Sequence, residues 1–115
     1  MTDAFPRYYI LVDRVPFAVD LMSWAAWFER NDRVVEKTAI GKVEVSTVFL
    51  GLNHNLRGGD PVLFETLVIG GPLGGEMDRY CSRAEAERGH AEMVAKVKIA
   101  AARVKNIADN AGVKT

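Results

Sequence analysis

Two stretches of alternating residues, separated by a loop, constrain the fold of this chain more than any other feature. In residues 42–50 (KVEVSTVFL), alternate side chains fall on one face, namely Val43, Val45, Thr47 and Phe49. In residues 62–69 (VLFETLVI), the same period groups Phe64, Thr66 and Val68. A period of two is typical of β-strands. These stretches therefore predict two antiparallel strands joined by the loop GLNHNLRGGDP.

The flanking segments predict the other elements. Residues 8–12 (YYILV) suit a first strand that Pro16 ends, and residues 33–40 (RVVEKTAI) suit a second. Asp20 can cap a first helix, VDLMSWAAWFERN, whose two tryptophans look like core residues. Ser82-x-x-Glu85 has the spacing of a capping box, so a last helix is expected from about Arg83 to Asn110, before Gly112.

This order, βαβββα, predicts an α+β fold with a four-stranded, mainly antiparallel sheet and both helices packed on one face. Residues 1–115 are expected to form a single domain. A last helix of about 40 Å would overhang strands of about 26 Å. Its alanine-rich end, KIAAARVKNIADNAG, suits packing against a second subunit, so we expect a homo-oligomer through this helix; a solvent-exposed tail is the alternative.

Composition excludes several classes of function. Fifteen basic and fifteen acidic residues cancel, so the sequence carries no strong nucleic-acid signal. Cys81 is the single cysteine, which leaves no internal disulfide and no cysteine-based zinc site. No stretch approaches the roughly 20 apolar residues of a membrane span, and the start MTDAFPRYYILVDRVPF does not resemble a signal peptide. We therefore expect a cytoplasmic protein with no membrane partner.

The loop between the alternating stretches holds the first candidate site residues. Asn53, His54, Asn55 and Arg57 are grouped there. A histidine titrates near neutral pH and can act as an acid, a base or a ligand, so these residues are candidates for binding a ligand or a partner. The alternative is a polar connecting loop, because asparagine, glycine and aspartate are the residues that turns favour.

A second group of candidates lies on the strands and the last helix. Glu65 interrupts an apolar strand face and needs a partner, for which Arg79, Tyr80, His54 and His90 are available. His90 falls on the apolar stripe of the last helix, where a hydrogen-bonded core residue is one interpretation. A set of His54, Glu65 and His90 is the other, and it would suit a metal or acid–base chemistry, although no metal-binding spacing is present. We assign no catalytic residue, metal or cofactor.

Three segments, VSTVFLGLNHN, LFETLVIGG and AEAERGHAEMV, resemble small uncharacterised proteins encoded by tailed bacteriophages and prophages. The similarity covers roughly residues 19 to 97, although Ser82 and Arg83 stand where that group tends to have threonine and tryptophan. The resemblance implies a phage accessory protein in the host cytoplasm. We expect it to bind a host or defence-system protein, or a small ligand, without catalysis. The alternatives are a small enzyme or metal-binding protein using His54, Glu65 and His90, and a virion component.

Overall fold

A computed structural model describes residues 6–112; the remaining residues, including the first five of the segment assessed as a signal peptide, lie outside the described part. The elements follow the chain in the order β1 (Tyr8–Val12), β2 (Val15–Val19), α1 (Leu21–Arg30), β3 (Val34–Ile40), β4 (Val43–Phe49), β5 (Phe64–Ile69), β6 (Met77–Tyr80) and α2 (Arg83–Asn110). Strands β1 and β2 form a separate hairpin, and β3 to β6 form one sheet.

The main sheet has four antiparallel strands in the order β3-β4-β5-β6, and α2 packs on one of its faces, so the predicted α+β class is confirmed. The alternation in β4 and β5 divides the side chains as expected. Thr47 pairs with Thr66 in the register, and both lie on the face that α2 covers, which we call the α2 face. The intervening residues, such as Ser46 and Glu65, point to the other side, which we call the open face.

Two apolar clusters fill the space between the sheet and α2. One contains Val45, Val68, Met93 and Val97, and the other contains Phe49, Leu63, Phe64 and Ala86. Because Ala86 meets the Phe64 end of β5 and Val97 meets the Val68 end, α2 runs along the strands rather than across them. Its far end therefore points past the turn at Gly41 and past the connection formed by residues 70–76.

The fourth strand of the sheet differs from the expected one. The first predicted strand, Tyr8–Val12, pairs with Val15–Val19 instead of joining the sheet. Its place is taken by β6, a strand of four residues between the last predicted strand and the last predicted helix. Four residues that follow a glycine-rich stretch are too few for an alternation pattern to be recognised.

The prediction that Pro16 ends the first extended segment is wrong, because Pro16 lies within β2, opposite Leu11. A two-residue turn, Asp13-Arg14, closes the hairpin with positive φ angles of 50° and 69°, as a type I′ turn requires. Val12 and Val15 form the hydrogen-bonded pair beside this turn, so the nitrogen of Pro16 points to the outer edge. Among residues 6–112 no strand pairs with that edge and needs a donor, so proline is tolerated.

Helix α1 begins at the predicted cap, where the Asp20 carboxylate accepts a hydrogen bond from the Ser23 amide at 2.7 Å. No residue between Leu21 and Arg30 is fully buried, so the expectation of core tryptophans is only partly met. Trp24 lies against Tyr8 and Phe28, and Trp27 meets the edge of the Phe49 ring. This helix therefore supports the hairpin and one end of the sheet.

Helix α2 spans the predicted range and begins at the predicted cap, where the Ser82 hydroxyl accepts a hydrogen bond from the Glu85 amide. The Glu85 carboxylate reaches back to the Ser82 hydroxyl rather than to the Ser82 amide of a full capping box. Its last fully buried residue is Val97, and the following turns extend beyond the sheet. The radius of gyration is 17.7 Å, whereas a compact domain of this length has about 13 Å. Within residues 6–112, no helix is long and apolar enough to cross a membrane.

Candidate functional site

A chain of buried hydroxyl groups surrounds His90 between α2 and the sheet. The ring Nδ1 lies 2.7 Å from the Thr47 hydroxyl, and Nε2 lies 2.8 Å from the Thr38 hydroxyl. Thr47 also hydrogen-bonds to the Thr66 hydroxyl. Since a hydroxyl can donate or accept, each tautomer of the ring finds partners. His90 is 1% exposed, and both ring nitrogens are used in this network, which fits the interpretation of a hydrogen-bonded core histidine.

Tyr80 closes the same layer from strand β6. A Cβ added at Gly89 would overlap its ring, so the tyrosine lies directly on the α2 backbone. Its buried hydroxyl makes no hydrogen bond of good geometry to the described residues. Burial raises the pKa of Tyr80, while the nearby Thr66 hydroxyl acts in the opposite direction. Gly89 is a structural residue that the sequence pattern did not single out, since its role depends on this distant contact.

Glu65 is separated from this network, because it lies on the open face of the sheet. Its carboxylate accepts a hydrogen bond from Arg79 Nε at 3.0 Å, and the two residues are register partners in β5 and β6. His90 lies on the α2 face. The sheet therefore stands between Glu65 and His90, and the proposed set of His54, Glu65 and His90 does not converge.

The loop before β5 is held together by two asparagines. The Asn53 side chain, which is 8% exposed, accepts hydrogen bonds from the amides of Asn55 and Val62. The Asn55 side chain donates to the carbonyls of Gly58 and Asp60. Both asparagines thus organise the backbone of the loop, which supports the polar-loop interpretation for these two positions.

His54 and Arg57 are exposed on this ordered loop. Partial desolvation lowers the pKa of His54, the positive charges of Arg79 and Arg7 lower it further, and the Glu65 carboxylate opposes them. The charge of Glu65 therefore acts on His54, although no hydrogen bond joins the two side chains among the described contacts. Within residues 6–112, no group of three or more His, Cys, Asp or Glu side chains is arranged to hold a metal ion.

An exposed apolar surface on the hairpin was not predicted. Tyr9 and Leu11 pack one hairpin face onto the core, whereas the other face carries Val12, Val15 and Phe17, which are 45%, 53% and 53% exposed. Val12 pairs with Val15, and Phe17 follows Val15 on the same face, so the three form one surface, which we call the hairpin patch. The alternating apolar residues Val15, Phe17 and Val19 could have predicted this strand, but Pro16 was interpreted as the end of the extended segment.

Comparisons with known proteins do not identify a relative. Neither a family model, nor a curated protein, nor a solved structure matches this chain.

Proposed function

We propose that this chain is a small phage-type accessory protein that acts by binding a host or defence-system protein, without catalysis. The hairpin patch is the observation that carries the proposal. Exposed apolar residues that adjoin one another are typical of protein-binding surfaces, whereas isolated ones are ordinary. Self-association through α2 and residence in the host cytoplasm belong to the same proposal. The nature of the partner and the phage origin rest on the resemblance.

The construction of the hairpin supports a binding role. Tyr9 and Leu11 anchor it to the core, and the Tyr9 amide donates a hydrogen bond to the Gly51 carbonyl at 2.9 Å. The patch is therefore presented on an anchored element. At the tip, Asp13 and Arg14 adopt left-handed conformations without a glycine. Such a conformation costs about 1 kcal/mol or more per residue, so the tip is not optimised for stability alone.

The polar candidates give less support to the enzyme or metal-binding alternative. His90 uses both ring nitrogens in the threonine network, and Glu65 is paired with Arg79. A catalytic pair must lie within hydrogen-bond reach, or within reach of one bridging water. Glu65 and His90 are on opposite sides of the sheet. Binding of a small ligand at the loop of His54 and Arg57 stays a prediction.

The proposal is tested by affinity capture from a bacterial lysate with the full chain. Phe17→Ser removes the aromatic group of the patch, and Ile99→Ser is the matched control because Ile99 is similarly exposed, at 54%, on a different element. We expect a discrete protein to be captured by the native chain and by Ile99→Ser, but not by Phe17→Ser. Equal capture by all three chains, or by none of them, would contradict a role for the patch.

A further inference from the structure

The apolar face of α2 continues beyond the sheet that buries it. Ala86, His90, Met93 and Val97 are buried and follow one another at alternating steps of four and three residues. The same steps lead on to Ala100, Val104 and Ile107. A spacing of this kind keeps residues on one side of a helix. We call residues 98–112 the overhang. Its face points in the direction of the sheet, but Val104 is 47% exposed and Ile107 is 69% exposed.

A second uncovered apolar surface lies at the same end of the molecule, on the open face. Ile69 and Met77 are each 47% exposed there, and Leu67 adjoins both, as the register partner of Met77 and the residue before Ile69 on the same face of β5. The connection after β5 does not cover them, because Leu73 folds toward the core cluster of Val45 on the other side of the sheet. The open face at this end and the apolar side of the overhang thus face in the same direction.

From these two surfaces we infer that the chain dimerises by exchanging overhangs, so that each overhang packs on the open face of the other copy near Ile69 and Met77. Consider a second copy that is turned by 180° about an axis lying along the end of the sheet, perpendicular to the strands. Its open face then lies opposite the apolar side of the first copy's overhang. The same rotation places its own overhang beneath the first sheet. The inference rests on the proposed self-association through α2 and specifies its geometry.

Charge complementarity favours the overhang of a second copy as the segment that covers the open face. The overhang carries three basic residues, Lys98, Arg103 and Lys105, and one acidic residue, Asp109, so its net charge is +2. Residues 1–97 contain 11 basic and 14 acidic residues, for a net charge of −3. On the open face, the charged strand residues Lys37, Glu44, Glu65 and Arg79 balance, and the one beside Ile69 is Glu44, directly opposite it in the register. An overhang docked there brings its basic flanks toward the more acidic body. Two overhangs paired with each other would instead bring together segments of like charge.

The area required by a dimer also favours a reciprocal exchange. A stable interface buries roughly 800 Å² on each partner. The overhang is about 20 Å long and presents a single helix face, which is small by this standard. In the exchange, each copy contributes its overhang and its open face, so the buried area per partner is about twice that of one helix face.

The first test measures the mass of the full chain in solution by sedimentation equilibrium. We expect the native chain to be a dimer, and Ile107→Glu to be a monomer that keeps its far-UV circular dichroism. Ile99→Glu is the matched control, because Ile99 is 54% exposed and lies roughly 140–160° around the same helix from Val97 and Val104. It should stay dimeric. A native monomer would overturn both this inference and the proposed self-association.

The second test locates the contact by disulfide cross-linking, with Cys81→Ala as the background. Two single-cysteine variants, Ile107→Cys and Met77→Cys, are oxidised separately and as a mixture. We expect cross-linked dimers in the mixture and little in either variant alone. Dimers of Ile107→Cys alone would indicate that overhangs pair with each other. That result, or a native dimer that Ile107→Glu leaves intact, would overturn the exchange while self-association stands.

Discussion

The polar residues on the two faces of the sheet lie in opposite environments, buried on one face and partly exposed on the other. On the α2 face, Thr47 and Thr66 are fully buried and join His90 in one hydrogen-bonded network. On the open face, Glu65 and Arg79 form a partly exposed ion pair beside uncovered apolar residues. The first face is covered by α2, its apolar side chains are buried, and its buried side-chain polar atoms are paired except for the Tyr80 hydroxyl. The second face leaves apolar area for another molecule.

This difference changes how the residues associated with chemistry are interpreted. His90 is the histidine best fixed in position, yet it is 1% exposed and its ring nitrogens contact the Thr38 and Thr47 hydroxyls, with the Glu36 carboxylate 3.6 Å from Nε2. His54 is accessible, but its neighbours in the loop are occupied with backbone hydrogen bonds. The buried and well-fixed polar residues of this fold therefore have structural roles, and the exposed apolar surfaces are the better indication of function.

The largest effect is expected from the α2 face. Thr47→Val removes the central hydroxyl with little change in shape and leaves His90 Nδ1 without its 2.7 Å partner. An unpaired buried polar group costs about 1–3 kcal/mol, so the free energy of unfolding should fall by about 2 kcal/mol. Urea denaturation measures it.

The adjacent residue on the same strand supplies the control. Ser46→Ala alters the open face and should change the free energy of unfolding by less than about 0.5 kcal/mol. Equal losses for Thr47→Val and Ser46→Ala would remove the distinction between the two faces.

The elements of this fold that depend on neighbouring residues could be predicted from the sequence. The alternation of β4 and β5, the cap at Ser82 and the bounds of α2 are confirmed, and each depends on residues close together in the chain. The buried position of His90 on the α2 stripe followed from helical periodicity.

The missed parts depend on distant contacts. Whether Tyr8–Val12 joins the main sheet or pairs with β2 is decided by tertiary packing, and Pro16 concealed the hairpin. The partners of His90 are Thr38 and Thr47, which lie 52 and 43 residues away. Glu65 was expected to need a partner, and Arg79 was one of four candidates. Only the register of β5 and β6 selected it.

A smaller effect is expected from the ion pair on the open face. The Arg79 side chain is 40% exposed and that of Glu65 is 17% exposed, so solvent weakens their attraction. Glu65→Gln should lower the free energy of unfolding by about 0.5 kcal/mol, with a correspondingly small fall in melting temperature. A double-mutant cycle with Arg79→Gln isolates the coupling between the two side chains. An unchanged melting temperature would mean that the pair contributes nothing to stability.

The smallest effect concerns His54 and the dependence of stability on pH. Partial desolvation and the charges of Arg79 and Arg7 lower the pKa of His54 in the folded chain. The unfolded chain therefore takes up a proton at a higher pH, and protonation favours unfolding. Stability should decline slightly as pH falls through the usual histidine range, near 6.5, and the decline from this group should end below its folded pKa. His54→Asn should flatten the dependence between about pH 7 and pH 5.5, measured by urea denaturation. An identical slope in the native chain and in His54→Asn would indicate that the imidazole is as well solvated in the loop as in the unfolded chain.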